Sequence, residues 1–395
     1  MDEADNQELL HYRLGLFHDA IKMEKKPERV PHMSNFWAWM ILDAGYKLSE
    51  AILDYKIVEK IVIEFQEKYN FDYLAYTGQR LNRLRNIFGA SPHKLNDEKE
   101  CVYYEDIPLV NSSEFEELGE SYLKCMWERA LPRKFENFNQ DMPIDLFKQA
   151  GLELIAFRKC QDTIISRLMK EYGIPRKYSD KSAAPFITPS FETLFTSLRG
   201  IKALSIDMRR EPDRLEAVIN AMDEALVIPS ITALAQAPKG RNKDLVFDCT
   251  TTLLGHTILN RKQIERFFWP TLKRLLDAVV AADKSIYMFV EGQSEPLWDY
   301  LASYPKGHIV LHIEQDDILK ARKRLPNCCL AGGMPVDILG NGTKQECVDY
   351  AKRLVDEVGA EGGFILSQNK MVSSRIDCKA ENIKAVSDFV CEYRS

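Results

Sequence analysis

The stretches Ser285-Ile-Tyr-Met-Phe-Val-Glu291 and His308-Ile-Val-Leu-His-Ile-Glu314 decide the fold. Each is short, apolar and followed by a helix-like segment, the pattern of a strand buried in a parallel sheet. Strand side chains alternate faces, so Ile286, Met288 and Val290 share one side and Tyr287, Phe289 and Glu291 the other. In the second run Ile309, Leu311 and Ile313 share a side, which leaves Val310, His312 and Glu314 opposite. With the first sets packed on outer helices, Glu291, His312 and Glu314 converge at the C-terminal mouth of a parallel barrel. Barrels of this kind do their chemistry there.

The same alternation of strand and helix extends outward. A helix is predicted from Arg261 to about Ala282, with Ile264, Phe267, Phe268, Leu272, Leu275, Leu276 and Val279 on one stripe and a kink at Pro270. Further helices are expected over Leu297 to Tyr304 and Asp317 to Leu325, and further strands at Cys328-Cys-Leu-Ala331 and Gly362 to Ser367. Thr343, with Glu346 three residues on, reads as a capping box, and a last helix starts near Ala380. The N-terminal half is less regular. Arg29-Val-Pro-His32 and Phe71 to Thr77 read as early strands, Val102 to Ile107 as a hairpin arm, and Ile144 to Tyr172 as a long helix. Leu245-Val-Phe-Asp248 reads as a strand that ends on Asp248 at the mouth. No linker-like stretch divides the chain, so residues 1–395 are read as one domain, with an insertion over 80–139 that forms a lid or a wall.

Composition narrows the function. A net charge of -6 and 28% charged residues argue against nucleic acid as partner, because basic clusters such as Lys320 to Arg324 are interleaved and read as solvated helix faces. The start of the chain is acidic and polar, unlike a signal peptide, and no apolar run suggests a membrane span. Nine scattered cysteines without a CxxC fit reduced thiols and a cytoplasmic location. GxGxxG, P-loop, HExxH and GxSxG signatures are absent, and the Gly332-Gly333 and Gly362-Gly363 pairs read as turns.

Phe268-Trp-Pro270, Phe289-Val-Glu-Gly292, His308 to His312, Ala331-Gly-Gly-Met-Pro335, Gly342-Thr343, Gly363 to Ser367 and Glu381-Asn-Ile383, in that order, resemble the uroporphyrinogen decarboxylase superfamily. That superfamily also holds zinc-dependent methyltransferases that serve cobamide cofactors. The resemblance implies a (β/α)8 TIM barrel. Decarboxylases of the family carry an arginine-rich segment near the N-terminus, and the matching stretch here, Trp39 to Gly45, has none. Unpaired buried carboxylates are costly, so an octacarboxylate substrate is not expected. The thiol methyltransferases use His-x-Cys and a later Cys, where this chain has His312-Ile-Glu314 and Asn369 or Lys370. The aryl-ether demethylating methyltransferases are similar in a Glu, fourteen residues, Glu, twenty residues, His pattern. Glu291 and His312 match its second half, whereas its first Glu falls on Leu276, beside Asp277.

The resemblance therefore implies a methyltransferase that moves methyl from a small methoxylated, aromatic donor to a separate corrinoid protein, since no Asp-x-His-x-x-Gly cobamide motif occurs in the chain. Zinc on Glu291 and His312, with Glu314 or Asp277 as third ligand, would polarise the ether oxygen. Trp37, Trp39, Tyr76, Arg80 and Asp248 are the candidate substrate contacts. Three alternatives stay open: a metal-free hydrogen-bonded pair at the mouth, a decarboxylase for a smaller substrate with Arg80 or Arg375 as carboxylate anchor, and a non-catalytic tetrapyrrole or corrinoid carrier.

Overall fold

Nine strands follow one another in the computed structural model, which describes residues 3–75, 82–89, 92–139, 141–176 and 185–394. They are β1 (Met33–Ser34), β2 (Tyr73–Leu74), β3 (His93–Asn96), β4 (Cys101–Tyr104), β5 (Cys249–Leu253), β6 (Ile286–Val290), β7 (Ile309–Ile313), β8 (Cys329–Met334) and β9 (Phe364–Gln368). The last five form one parallel sheet in sequence order, and β1 pairs in parallel with β2. Parallel bridges from His32 to Leu366 and from Phe36 to Val372 join β1 to β9. On the other side, Ile187 donates to the Thr250 carbonyl and Thr250 to that of Pro185, so residues 185–187 run beside β5 as the third strand position. The architecture is a (β/α)8 TIM barrel, with the β3–β4 hairpin outside the ring.

The alternation read from the sequence sets the register. Phe289 pairs with His312, and His312 with Ala331, which in turn pairs with Ile365. Val310, Cys329, Ala331 and Ile365 fill the barrel with Met33, Tyr73 and Phe247. Met288, Leu311, Leu330 and Leu366 face the outer helices instead. Burial of each such side chain contributes roughly 1.5–3 kcal/mol. The interior cluster also takes Leu10, Leu14, Phe17 and Ile21 from the helix Glu3–Lys22, which closes the floor of the barrel.

Several elements sit where local chemistry predicts. Asp317 accepts from the Leu319 and Lys320 N–H groups at a helix start, and Thr343 and Glu346 form a reciprocal capping box. The helix Ile144–Tyr172 ends on Gly173 in the left-handed region. Ahead of Pro270 the helix widens into a π turn over Ile264–Phe268, which absorbs the missing N–H.

Others shift. Pro31 has no N–H to give to a ladder, so the first strand begins later than Arg29-Val-Pro-His32 suggested, at Met33. The predicted strand over Phe71 to Thr77 reduces to Tyr73–Leu74 among the described residues. The strand expected over Leu245 to Asp248 runs instead from Cys249 to Leu253, where three β-branched threonines, polar but well suited to a pleated strand, replace the apolar run. One helical run, Pro212–Gln236, is long and apolar enough to cross a membrane, contrary to the sequence reading. It buries Leu215, Val218, Ile219 and Met222 in the core.

One buried carboxylate ties the N-terminal segments to this frame. Asp72 accepts two bonds from Arg29, at 2.6 and 2.7 Å, one from Arg13 at 3.2 Å and one from the His32 N–H at 2.8 Å. Burial alone would raise its pKa. The bonds and charge of Arg29, then the charge of Arg13 and the His32 N–H, outweigh burial and hold it at about 2. Replacing Asp72 by Asn leaves two arginines without a counter-charge, and a loss of about 3–5 kcal/mol is expected from denaturant midpoints. Because the folded pKa lies below the unfolded value of ~3.9, this contribution is complete above that value and lost as pH falls through about 2. A variant as stable as wild type at pH 7 would remove the clasp from the account.

Candidate active site

The mouth is assembled from the ends of β5, β6, β7 and β9. Glu291 follows β6 and donates its N–H to the Leu253 carbonyl at 2.8 Å. Val290 pairs with Ile313, so Glu291 and Glu314 leave their strands at the same level. Glu314 accepts a hydrogen bond from the Gly292 N–H, and its own carbonyl accepts from Asn369 Nδ2 at 3.0 Å. Gly292 is required here: its φ is +74°, and a Cβ would come within 2.8 Å of Thr257.

A third carboxyl joins them from a helix. Glu192, 1% exposed, accepts from the Gly255 and Leu254 N–H groups at 2.8 and 3.0 Å in the turn after β5. Burial raises it to about 7 against those two bonds, with a further upward push from the Glu291 charge. Glu291 is itself raised, first by burial and then by Glu314. Glu192 is thus shifted far enough to keep its proton close to neutrality, and Glu291 is shifted in the same direction.

His312 lies one layer deeper and is fully buried. Its Nε2 is 3.0 Å from both the Gln368 and Asn369 carbonyls, and its Nδ1 is 2.8 Å from the Tyr287 hydroxyl. Carbonyls only accept, so Nε2 carries the hydrogen and Nδ1 accepts from Tyr287. Burial pushes the ring down to about 4, against the two carbonyls, and it is neutral at physiological pH. Gly332, at φ +101°, lets β8 approach it, since a Cβ there would meet Nε2 at 3.1 Å. Phe289 and Tyr287 stand edge-on to the imidazole at 4.7 and 5.9 Å and form an aromatic wall below the carboxyls. Asn35 and Ser367 alternate with the interior residues Met33 and Ile365, and Asn35 Nδ2 and Ser367 Oγ are buried without hydrogen-bond partners.

The structure thus brings Glu291, Glu314 and His312 to one mouth. Three other candidates, Asp277, Asp248 and Trp39, lie elsewhere. Asp277 is on the exposed face of the helix Trp269–Ala281, bonded by Lys273 at 2.6 Å and Tyr304 at 3.0 Å, so it is no ligand to the mouth. Asp248 precedes β5 rather than ending a strand, which puts it at the floor. There it accepts from Ser285 N–H and Oγ–H and from the Asn242 N–H. Trp39 is a core residue packed on Phe36 and Tyr69, with Nε1 bonded to the Cys378 carbonyl. Trp37 is buried after β1, its N–H on the Val372 carbonyl. Tyr76 and Arg80 lie outside the described residues. Arg375, weighed as a carboxylate anchor, is paired with Glu100 of the β3–β4 turn at 2.9 Å, which ties the hairpin to the loop after β9.

These donors do not fit a zinc centre. Both nitrogens of His312 are engaged, and among the described residues no three His, Cys, Asp or Glu side chains gather as ligands. Glu192 and the Tyr287–His312 pair were not singled out in the sequence. The signal for Glu192 was a lone acid among Phe191, Leu194 and Phe195, a setting in which a solvated glutamate is out of place.

The metal question has a direct measurement. Protein purified without chelator is expected to carry zinc well below one equivalent, unchanged in His312→Ala. One equivalent in wild type, lost in that variant, would make His312 a ligand after all.

A sequence model of the family described as Uroporphyrinogen decarboxylase (URO-D) matches residues 182–393. Among curated proteins none matches the chain. Among solved structures, a methyltransferase from Methanosarcina mazei superposes with a TM-score of 0.57 at 16% identity, over 97% of this chain and 98% of that one. The barrel is therefore shared with that enzyme, and the match over more than half of the 395 residues makes this chain a member of the uroporphyrinogen decarboxylase family.

Proposed function

We propose that the protein is a methyltransferase that demethylates a small methoxylated, aromatic compound and delivers the methyl group to a corrinoid on a separate protein. The observation that carries this reading is the pair of upward-shifted carboxyls, Glu192 and Glu291, beside Glu314 and above an aromatic wall. An ether oxygen is a poor leaving group unless its developing charge is met as methyl departs, and a carboxyl whose pKa is raised is matched to that task. Glu291, partly open to the mouth, is the acid that faces the ether. Glu192, buried and raised to about 7, is protonated below that pH and so adds no second anion beside Glu291.

The remaining groups have positioning roles. Phe289 and Tyr287 supply the apolar, edge-on surface for an aryl ring. Asn35 Nδ2 and Ser367 Oγ offer hydrogen bonds to polar substituents on the donor. The neutral His312 fixes the Tyr287 hydroxyl by accepting its proton, so the wall does not rotate. The corrinoid, brought by its own protein, supplies the nucleophile that accepts the methyl group from the open side. In balance, the carbon–oxygen bond breaks, the oxygen takes the carboxyl proton, and the methyl group leaves with cobalt(I) as the acceptor.

The same carboxyls weigh against decarboxylation of a polycarboxylate. A substrate with several negative charges would meet three acids, and a buried, unpaired carboxylate is costly. This family member is better matched to an uncharged ether.

The test is methyl transfer from a panel of methoxylated aromatics to a reduced corrinoid protein, followed by the visible spectrum of the corrinoid. Transfer is expected to fall as pH rises and Glu291, held up by burial and by the Glu314 charge, loses its proton. In Glu314→Gln the charge that lifts Glu291 is gone, so the falling limb moves to lower pH. In Glu291→Gln the rate drops by about two to four orders of magnitude, the range of a lost general acid, with donor affinity little changed. A Glu291→Gln enzyme that works at the wild-type rate, or carbon dioxide released from a carboxylated substrate without corrinoid, would defeat the reading.

A further inference from the structure

The floor of the barrel, opposite the mouth, holds a second cavity that the proposed reaction does not use. It lies between the helix Glu3–Lys22, residues 239–243 and the turn before β7. Lys22, Lys239, Arg241, Lys243 and Lys306 line it, together with His11, His18 and His308, against two carboxylates, Glu24 and Asp283. In a chain of net charge -6 this is a concentration of positive charge. Among the described residues none of the five cations is in an ion pair.

Arg241 lines both this cavity and the cleft beside it. Its Nη2 donates to the Gly307 carbonyl, and its Nη1 is buried without a partner. Of the carboxylates whose charge stabilises it, Asp248 ahead of Asp283 and Glu24, Asp248 is already engaged by Ser285 and Asn242. His18 is turned to the Leu245 carbonyl at 2.8 Å. Burial holds its pKa down against that carbonyl, and the Arg241 charge adds to the effect. A partly buried guanidinium with one unpartnered N–H group, in a cavity also lined by four lysines, is an arrangement suited to an oxyanion with more than one charge.

Arg241, Lys239 and Gly240 also border a neighbouring cleft that is apolar on one side, at Ala233, Leu234, Pro238 and Leu245, and polar on the other, at Asp248 and Lys284. An anion seated on Arg241 would therefore lie beside a surface that takes an uncharged body. We propose that the barrel floor is a binding site for a phosphomonoester, with the phosphate on Arg241 and the lysines and an apolar body in the adjoining cleft. It lies at the opposite end of the strands from Glu291 and stands whether or not the demethylation reading does.

Isothermal titration of the full-length protein with phenyl phosphate, inorganic phosphate and benzoate tests this. Saturable binding of phenyl phosphate is expected, several-fold tighter than inorganic phosphate and tighter than benzoate. Arg241→Gln should weaken it by at least about tenfold. Arg241 is partly buried and its variant risks misfolding, so the double variant Lys239→Gln/Lys306→Gln, on exposed side chains, is the second arm and should weaken binding in the same direction. The site is overturned by no saturable binding up to about 10 mM phenyl phosphate, far weaker than the millimolar range of a single anchored anion. It is also overturned by wild-type affinity in both variants. Benzoate binding as tightly as phenyl phosphate would overturn the phosphate assignment.

Discussion

The buried carboxylate of Asp72 is the contact on which the rest of the barrel depends. Its four hydrogen bonds reach Arg13 on the floor helix, Arg29 before β1, and the His32 main chain. His32 bridges to Leu366, so the same carboxylate locates the seam where β1 meets β9. From the seam the order passes upward. The Asn35 N–H donates to Gln368 Oε1, and the Gln368 and Asn369 carbonyls hold the His312 ring. A buried ion pair of this kind is weak evidence for net stability, because desolvation offsets much of its attraction. Its value here is geometric. It fixes one of the many ways in which two-residue strands can meet a barrel, and hydrophobic packing alone is tolerant of such slips.

The two ends of the barrel differ in charge for a reason built into the topology. Strands run from floor to mouth and helices run back, so helix N-termini gather near the mouth and C-termini near the floor. The positive ends of the helix dipoles tolerate carboxyls, and the negative ends tolerate cations. Glu192 shows the first case, near the start of its helix and on the N–H groups after β5. The Arg241 cavity shows the second. At the mouth, burial and mutual repulsion raise carboxyl pKa values, and at the floor burial lowers those of Arg241 and His18. Each end is shifted towards its neutral form, and a ligand that relieves the shift is favoured at that end.

How much was legible in the sequence depended on the range of the interaction. The β6 and β7 strands and their register could be read because alternation is local: Met288 and Leu311 face out, and Phe289 and His312 face in. The Thr343 cap and the long helix from Ile144 were legible for the same reason. Asp248 was misplaced because an apolar run, Leu245 to Phe247, looks like a strand when it is in fact a plug that fills the floor with Phe17 and Tyr73. The true strand, Cys249-Thr-Thr-Thr-Leu253, is polar in composition and was passed over. Glu192 was invisible because its meaning comes from two N–H groups more than sixty positions away, at Leu254 and Gly255. The floor cavity likewise joins Lys22 to Arg241 and Lys306, which no short window contains.

The spacing of Glu291 and His312 carries a further lesson about what a motif encodes. Twenty intervening residues are what one turn, one helix and one strand consume in this barrel, so the spacing reports that both residues end neighbouring strands. It does not report what their side chains bind. That is decided by the atoms facing the imidazole, and here those are two carbonyl oxygens and a tyrosine hydroxyl. A carbonyl pair fixes the hydrogen on Nε2 and leaves Nδ1 as acceptor, a tautomer with no free lone pair while Tyr287 is bound. The same backbone positions with thiolates in place of Glu314 and Asn369 would offer a metal soft, charged donors. With a carboxylate and an amide they accept hydrogen bonds instead, Glu314 from the Gly292 N–H and Asn369 from the Val336 N–H.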